Sequence, residues 1–399
     1  MFRLRGRLRV DLTTFSQLAA FYLLAGLSIA WAEFTTVPTS VWTGLQYALM
    51  GAVIFVHWQM LVRPSPGALL HLIWLVSFPL FAYLSILTTQ GVVAGRGESF
   101  ERALFVVTLG VTEFLFGMVL ARTLKLRTCV VALAVLVFHS WLRQHSFTAE
   151  GIAESIILHN RFVNYQVAGD AIACAAVLAV SFTPSRRLVI LVSIAAVYGL
   201  FTVSSRSAAF VGIVALASYW LRFLSWRSTG LLLTGAILGL TALHNLDAGD
   251  AIGQLVEGTR FETMFGGQID TSADARAMSL ESGLEIIRQY PFTGFFAFEL
   301  DRFGIGGLYV HNGLDIWVQA GLPSFLLFLA GIYVLLKGYV PLLRFDPATA
   351  YSYLPMIVFV LGSWALARVP YAGAIVVVWG FTVTRVYLAS RTLPRPRDT

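Results

Sequence analysis

Charged side chains are what this sequence has least of. They make up 12% of its 399 residues, where a soluble domain carries about 25%. The shortage runs along the whole chain, which excludes a soluble enzyme tethered by a single anchor. Cysteine is nearly absent, and Cys129 and Cys174 both lie inside apolar runs. They read as small buried hydrophobes and leave no disulfide framework. Asp-x-Asp, His-x-x-x-His and Cys-x-x-Cys patterns are missing, so there is no metal signature, and neither a metal nor another cofactor is expected. The first apolar run also lacks a small-residue cleavage site behind its basic flank Met1–Arg9, and no cleavable signal peptide is expected.

What the chain has in excess is apolar surface: 57% hydrophobic residues and a mean hydropathy of +0.76. A helix crossing the hydrocarbon core of a bilayer needs about 20 mostly apolar residues. Such runs fall near 14–32, 41–61, 68–87, 103–121, 128–142, 167–183, 188–203, 207–221, 229–243, 317–336, 351–367 and 370–388. Pro64-Ser-Pro-Gly, Pro184-Ser-Arg-Arg and Asp346-Pro punctuate the joins, as helix breakers should. The expected fold is an all-α polytopic membrane protein of about twelve transmembrane helices, with residues 1–399 forming a single integral membrane domain.

Twelve spans put both termini on one side. With the N-terminus in the cytoplasm, Arg3, Arg5, Arg7, Arg9, Arg63, Arg122, Lys125, Arg127, Arg186, Arg187, Arg222, Arg227, Lys337, Arg344, Arg391, Arg395 and Arg397 all fall inside. The short outer loops hold Arg96, Arg102, Arg143, Arg161, Arg206 and Arg368. The excess of basic residues inside therefore fixes the expected orientation. It also accounts for the net charge of +7 more simply than nucleic-acid binding does.

One connection breaks the pattern of short loops. Residues 244–316 form a long outer loop, rich in Asp and Glu, which also carries Arg260, Arg276, Arg288 and Arg302. Within it, Ala277, Leu280, Leu284 and Ile287 recur at helical spacing, Asp274 stands near the start, and Pro291-Phe-Thr-Gly follows. The pattern predicts an amphipathic helix on the outer, membrane-facing surface of the bundle. A smaller outer loop runs from about 143 to 166. Long ordered loops on a rigid scaffold are where function usually sits.

Four motifs follow one another around the long loop: Thr202-Val-Ser-Ser-Arg-Ser-Ala, Asp274-Ala-Arg, Ile286-Ile-Arg-Gln-Tyr-Pro-Phe-Thr-Gly, and Tyr309-Val-His-Asn-Gly-Leu-Asp-Ile-Trp-Val-Gln-Ala-Gly-Leu-Pro. Their order and spacing resemble the O-antigen ligase and O-antigen polymerase superfamily, by motif over about residues 160–330 and by topology over the whole chain. The resemblance implies a glycosyltransferase on the periplasmic face of the bacterial inner membrane. Such an enzyme takes a glycan from undecaprenyl pyrophosphate and passes it to an acceptor hydroxyl. Ligases use the sugars of lipid A-core as acceptor, and polymerases use a second lipid-linked glycan. The resemblance implies His311, with Asn312 beside it, as the base or acceptor-orienting residue. It implies Arg161, Arg206 and Arg276 as ligands of the donor pyrophosphate, and Arg260 is a further candidate. Arg161 sits in His159-Asn-Arg-Phe-Val-Asn where relatives more often show Asn-Pro-Asn, and Gln319 and Ser324 stand where relatives frequently show Glu and Gly.

These residue types also suit the chemistry without a family name. Breaking a sugar–pyrophosphate bond builds negative charge on the leaving group, and arginine forks bind phosphate oxygens while staying charged at any working pH. Several arginines could thus do the work of a divalent metal. A histidine titrating near neutrality can accept the proton of an attacking hydroxyl. Glu113, alone in the middle of a span, suits either a transporter's proton relay or a hydrogen-bonded packing group. Asp170, near the outer end of a span, could pair with an arginine of the site. His57, His71 and His139 read as packing residues. A lipid-linked sugar flippase fits the span count, but no internal repeat or matched pair of broken helices supports it. A non-catalytic scaffold of an envelope assembly is the remaining rival. Within the superfamily, one dominant outer loop before the His-Asn motif favours a ligase over a polymerase.

Overall fold

A computed structural model describes residues 39–89, 96–144, 165–183, 185–223, 271–299, 310, 312–366, 368, 370 and 373–393. These residues form eleven α-helices and no strand. In chain order they are α1 (Thr39–Val56), α2 (Pro66–Thr89), α3 (Arg96–Thr123), α4 (Leu126–Leu142), α5 (Tyr165–Phe182) and α6 (Arg186–Thr202). Then come α7 (Arg206–Ser218), α8 (Thr271–Gln289), α9 (Asp315–Phe345), α10 (Pro347–Leu366) and α11 (Ala374–Ser390). The apolar runs expected near 14–32 and 229–243 lie outside the described residues. Each of the other ten coincides with a helix.

Among the described residues, five segments are long and apolar enough to cross a membrane: α2, residues Ala103–Thr123 of α3, α5, α9 and α10. The surface of the bundle explains why no water-facing side is needed. On α2, Leu69, Ile73, Val76, Leu80, Leu84 and Leu87 are exposed along one stripe, while Ala68, His71, Trp74, Phe78 and Ala82 are buried on the other. A helix apolar on both faces, with one face bare, is solvated by lipid rather than water. The same bare stripe runs along α9 through Leu326, Leu329, Tyr333, Leu336, Val340 and Leu343.

Two helices are buried all round. On α5 every residue from Ala168 to Ser181 is buried, and on α11 the same holds from Ala374 to Thr384. α11 packs most extensively on α3, and α5 lies among α4, α6, α7 and α10. Helices in lipid gain little from further hydrophobic burial, so close van der Waals approach decides their pairing. Small residues supply that approach here. A Cβ at Gly117 of α3 would meet the Val377 carbonyl oxygen of α11, and one at Gly380 of α11 would meet that of Phe114. Cys129 and Cys174 are free and buried in the core, as their apolar settings imply.

His71 and Glu113, two of the polar groups buried in the bundle, take different roles. His71 is wholly buried in a cluster of aromatic rings, with the Phe114, Trp74 and Trp379 centroids 4.7, 4.9 and 5.7 Å away. Glu113 accepts a hydrogen bond from the Tyr47 hydroxyl at 2.8 Å and another from the Gly373 N–H at 2.7 Å. Gly373 is the residue that opens α11, so Glu113 satisfies one of the donors left over at a helix start and ties α1, α3 and α11 together. These are the contacts of a hydrogen-bonded packing group, one of its two expected roles. Glu113→Ala is expected to destabilise the bundle by about 1–3 kcal/mol, the cost of stranding buried donors. Glu113→Gln, which keeps an acceptor, should lose less when thermal unfolding is followed in detergent.

Candidate functional site

Contacts between helix ends gather several of the nominated residues at one end of the bundle. Arg368, just beyond α10, donates from Nε to Asp170 Oδ2 at 2.6 Å and from Nη2 to Oδ1 at 3.0 Å, near the start of α5. Gly169, one residue earlier, lies against Ser205 so closely that a Cβ would come within 2.6 Å of the serine Cβ. Ser205 precedes Arg206, the first residue of α7, and Ser204 takes a positive φ of 56° where the chain reverses after α6. Gly313 donates to the Trp364 carbonyl near the end of α10 at 2.6 Å. Phe296 donates to the Ser85 hydroxyl near the end of α2 at 2.8 Å. Asp170, Arg206, Asn312 and Arg368 therefore share an end. The Arg186 guanidinium, at the start of α6, stacks 3.9 Å over the Phe223 ring beyond α7, at the opposite end.

The motifs around the His-Asn dipeptide prove to be packing partners of one another. α8 is followed by Tyr290-Pro-Phe-Thr-Gly294, and this turn docks on the first turns of α9. Phe295 donates to the Val318 carbonyl at 2.6 Å and Leu322 donates to the Pro291 carbonyl at 3.0 Å. The Trp317 indole N–H reaches the same Pro291 carbonyl at 2.8 Å. Glycine is required on both sides of the contact. Gly294 has φ 66°, and a Cβ there would come within 2.6 Å of the Val318 carbonyl oxygen. Gly321 has φ 77° and ψ 173°, which interrupts α9, and a Cβ there would strike the Phe292 carbonyl. Both conformations are open to glycine at little cost. Tyr-Pro-x-x-Gly and Gly-Leu-Pro thus form one interlocked joint.

Asn312 shapes the turn that leads into α9. Its side-chain oxygen accepts from the Leu314 N–H at 2.9 Å, an Asx turn, and its own N–H donates to the Val310 carbonyl at 2.8 Å. Val310 also packs into a small core with Ile286, Phe298 and Val318, and Gly283 of α8 faces Val310. Arg276 lies on α8, about two turns before Gly283, and is half-buried. Arg206 is half-buried on α7, which packs on α10. His311, Arg161 and Arg260 lie outside the described residues.

The amphipathic helix is present as α8, and the face it packs inward is not its leucine stripe. Ser279, Ser282, Gly283 and Ile286 are buried, while Leu280 and Leu284 of the expected apolar stripe are exposed. Small residues give the closer approach to Val310 and Val318. The leucines are left on an outer flank beside Glu281, Glu285 and Arg288.

A cavity of about 290 Å³ begins at Asn312, Gly313 and Leu314 and continues between α9 and α10 along Phe325, Leu329 and Leu361. One end is polar backbone and amide, and the rest is hydrocarbon. Leu329 is 40% exposed, so the cavity opens on the lipid-facing stripe of α9. Three further residues were not anticipated as a group. Glu299, Asp315 and Gln319 are buried together beside the same turn. Asp315 and Gln319, one helical turn apart on a mostly apolar helix, were the available signal; Glu299 had none. Compared with known proteins, the chain matches no protein-family model, and no curated protein aligns with it significantly.

Proposed function

We propose that the protein is an O-antigen ligase-like glycosyltransferase. It moves a glycan from undecaprenyl pyrophosphate to a hydroxyl of lipid A-core at the periplasmic face of the bacterial inner membrane. In this reading the chain crosses the membrane twelve times, both termini are cytoplasmic, and residues 244–316 are periplasmic. The observation that carries the proposal is the interlock of Tyr290–Gly294 with Trp317–Leu322, beside which the Asn312 turn lies at the mouth of a lipid-facing cavity. A polar mouth leading into an apolar cavity open to the bilayer suits a substrate with a pyrophosphate head and a polyprenyl tail.

The reaction follows as a direct displacement. The acceptor oxygen attacks the anomeric carbon and its proton passes to His311. The carbon–oxygen bond to pyrophosphate breaks, and undecaprenyl pyrophosphate leaves with the electron pair. Attack opposite the leaving group inverts the anomeric carbon. Arg161, Arg206 and Arg276, with Arg260, neutralise the charge that gathers on the pyrophosphate, a task for which delocalised cations suffice without metal.

Undecaprenyl pyrophosphate binding tests the assignment. Arg206→Ala and Arg276→Ala should each weaken it about 10–100-fold, the worth of a charge-assisted hydrogen bond. Lysine at either position should recover only part of the loss, because it gives a point charge and no fork. Unchanged affinity in both alanine variants would contradict the proposed donor site.

A further inference from the structure

Buried carboxylates seldom sit together without a donor between them, because each one's charge raises the cost of its neighbour's. Glu299 and Asp315 are 2% and 0% exposed, and the residue between them is Gln319, itself 3% exposed. Its Nε2 donates to Glu299 Oε2 at 3.3 Å and lies 3.5 Å from Asp315 Oδ1. Its Oε1 accepts from the Ala297 N–H at 2.6 Å. Ala297 is held at φ 58°, a conformation that costs a non-glycine residue energy and persists only when its surroundings impose it. Asp315 Oδ1 in turn accepts from the Val310 N–H at 3.2 Å. One carboxamide thus links the segment before residues 300–309 to the segment after them.

We infer that Gln319 is a positioning residue: its carboxamide bridges Ala297, Glu299 and Asp315 and thereby fixes the backbone at Val310 and the Asn312 turn, the neighbours in sequence of the proposed base His311. The kinetic part of this inference rests on the transferase reading above. The bridge needs both an acceptor and a donor at position 319, and glutamine is the side chain of the right length that supplies both without charge. A glutamate there would keep the acceptor for Ala297 but set three carboxylates side by side.

The experiment compares wild type, Gln319→Glu, Gln319→Met and the swap Glu299→Gln/Gln319→Glu in lipid nanodiscs. The swap restores two carboxylates and one amide to the cluster. Amide hydrogen exchange reads the clamp without any assay of function. Protection at Ala297 should fall at least about 10-fold in Gln319→Met, which removes its acceptor; protection at Val310 should fall in Gln319→Glu, whose third carboxylate pushes the cluster apart, and return in the swap. Glycan transfer reads the consequence. The single variants should lose about 10–100-fold in kcat with donor KM within a few-fold of wild type, as expected when a reacting group is displaced by about 1 Å. The swap should recover most of that loss. Unchanged exchange in both single variants overturns the clamp whatever the protein's activity. Altered exchange with unchanged kcat overturns the positioning role and leaves a structural bridge. A wild type that transfers no glycan overturns the transferase reading and the kinetic role together, while the exchange result still decides the clamp.

Discussion

His311→Ala is expected to slow glycan transfer by about 10²–10⁴-fold, the usual contribution of a positioned general base. Donor affinity should stay within a few-fold of wild type, because the pyrophosphate is assigned to arginines. The described histidines sit elsewhere in the bundle. His71 is walled in by aromatic rings, His139 belongs to α4, and His57 precedes the 3₁₀ turn Trp58–Leu61 after α1. Arginine remains protonated at working pH and makes a poor base. His311→Gln, which can still orient a hydroxyl but accepts no proton, should resemble alanine in kcat. If either variant transferred at the wild-type rate, His311 would lose its role, and the His-Asn turn would be a structural feature of the joint between α8 and α9.

The second large effect falls on stability. Asp170 and Arg368 form a two-point ion pair whose side chains are 11% and 12% exposed. It ties the buried helix α5 to the connection between α10 and α11. Removing one member of a buried pair typically costs about 3–5 kcal/mol, since the partner's desolvation is no longer offset. Asp170→Ala should therefore unfold well below wild type in detergent, and Arg368→Ala likewise. The double variant should lose less than the sum of the two, with a coupling of at least about 1 kcal/mol. Purely additive losses would show that each side chain acts through other partners. Asp170 was expected to pair with an arginine of the donor site; the arginine it meets is Arg368, which no motif singled out.

That difference shows where sequence reading reaches its limit. Helices written as long apolar runs were legible: α2, α5 and α10 begin and end within a few residues of the apolar segments, because a bilayer leaves a spanning backbone few alternatives to helix. The existence of α8 was legible from its spacing, but its inward face was not. An exposed leucine and a buried serine can be exchanged when close backbone approach to Val310 and Val318 matters more than apolar area. Glu113 could be flagged as costly from its setting alone, whereas its partners Tyr47 and Gly373 are 66 and 260 residues away. The cluster of Glu299, Asp315 and Gln319 was hidden for the same reason. Glu299 reads as one more acid of a polar loop until the fold brings it to Gln319. Tyr-Pro-x-x-Gly and Gly-Leu-Pro could be recognised as motifs, but only the contact between them explains why both need glycine.

Transfer by the purified wild-type protein tests the central claim most directly. The protein in nanodiscs would be given an undecaprenyl-pyrophosphate-linked oligosaccharide and lipid A-core in the presence of EDTA, with products resolved by electrophoresis and mass. The account predicts glycan attached to lipid A-core with inverted anomeric configuration and undiminished yield in the chelator. Lengthening of the lipid-linked donor instead would make the protein a polymerase. Movement of the lipid-linked sugar between leaflets, with no new glycosidic bond, would contradict the account.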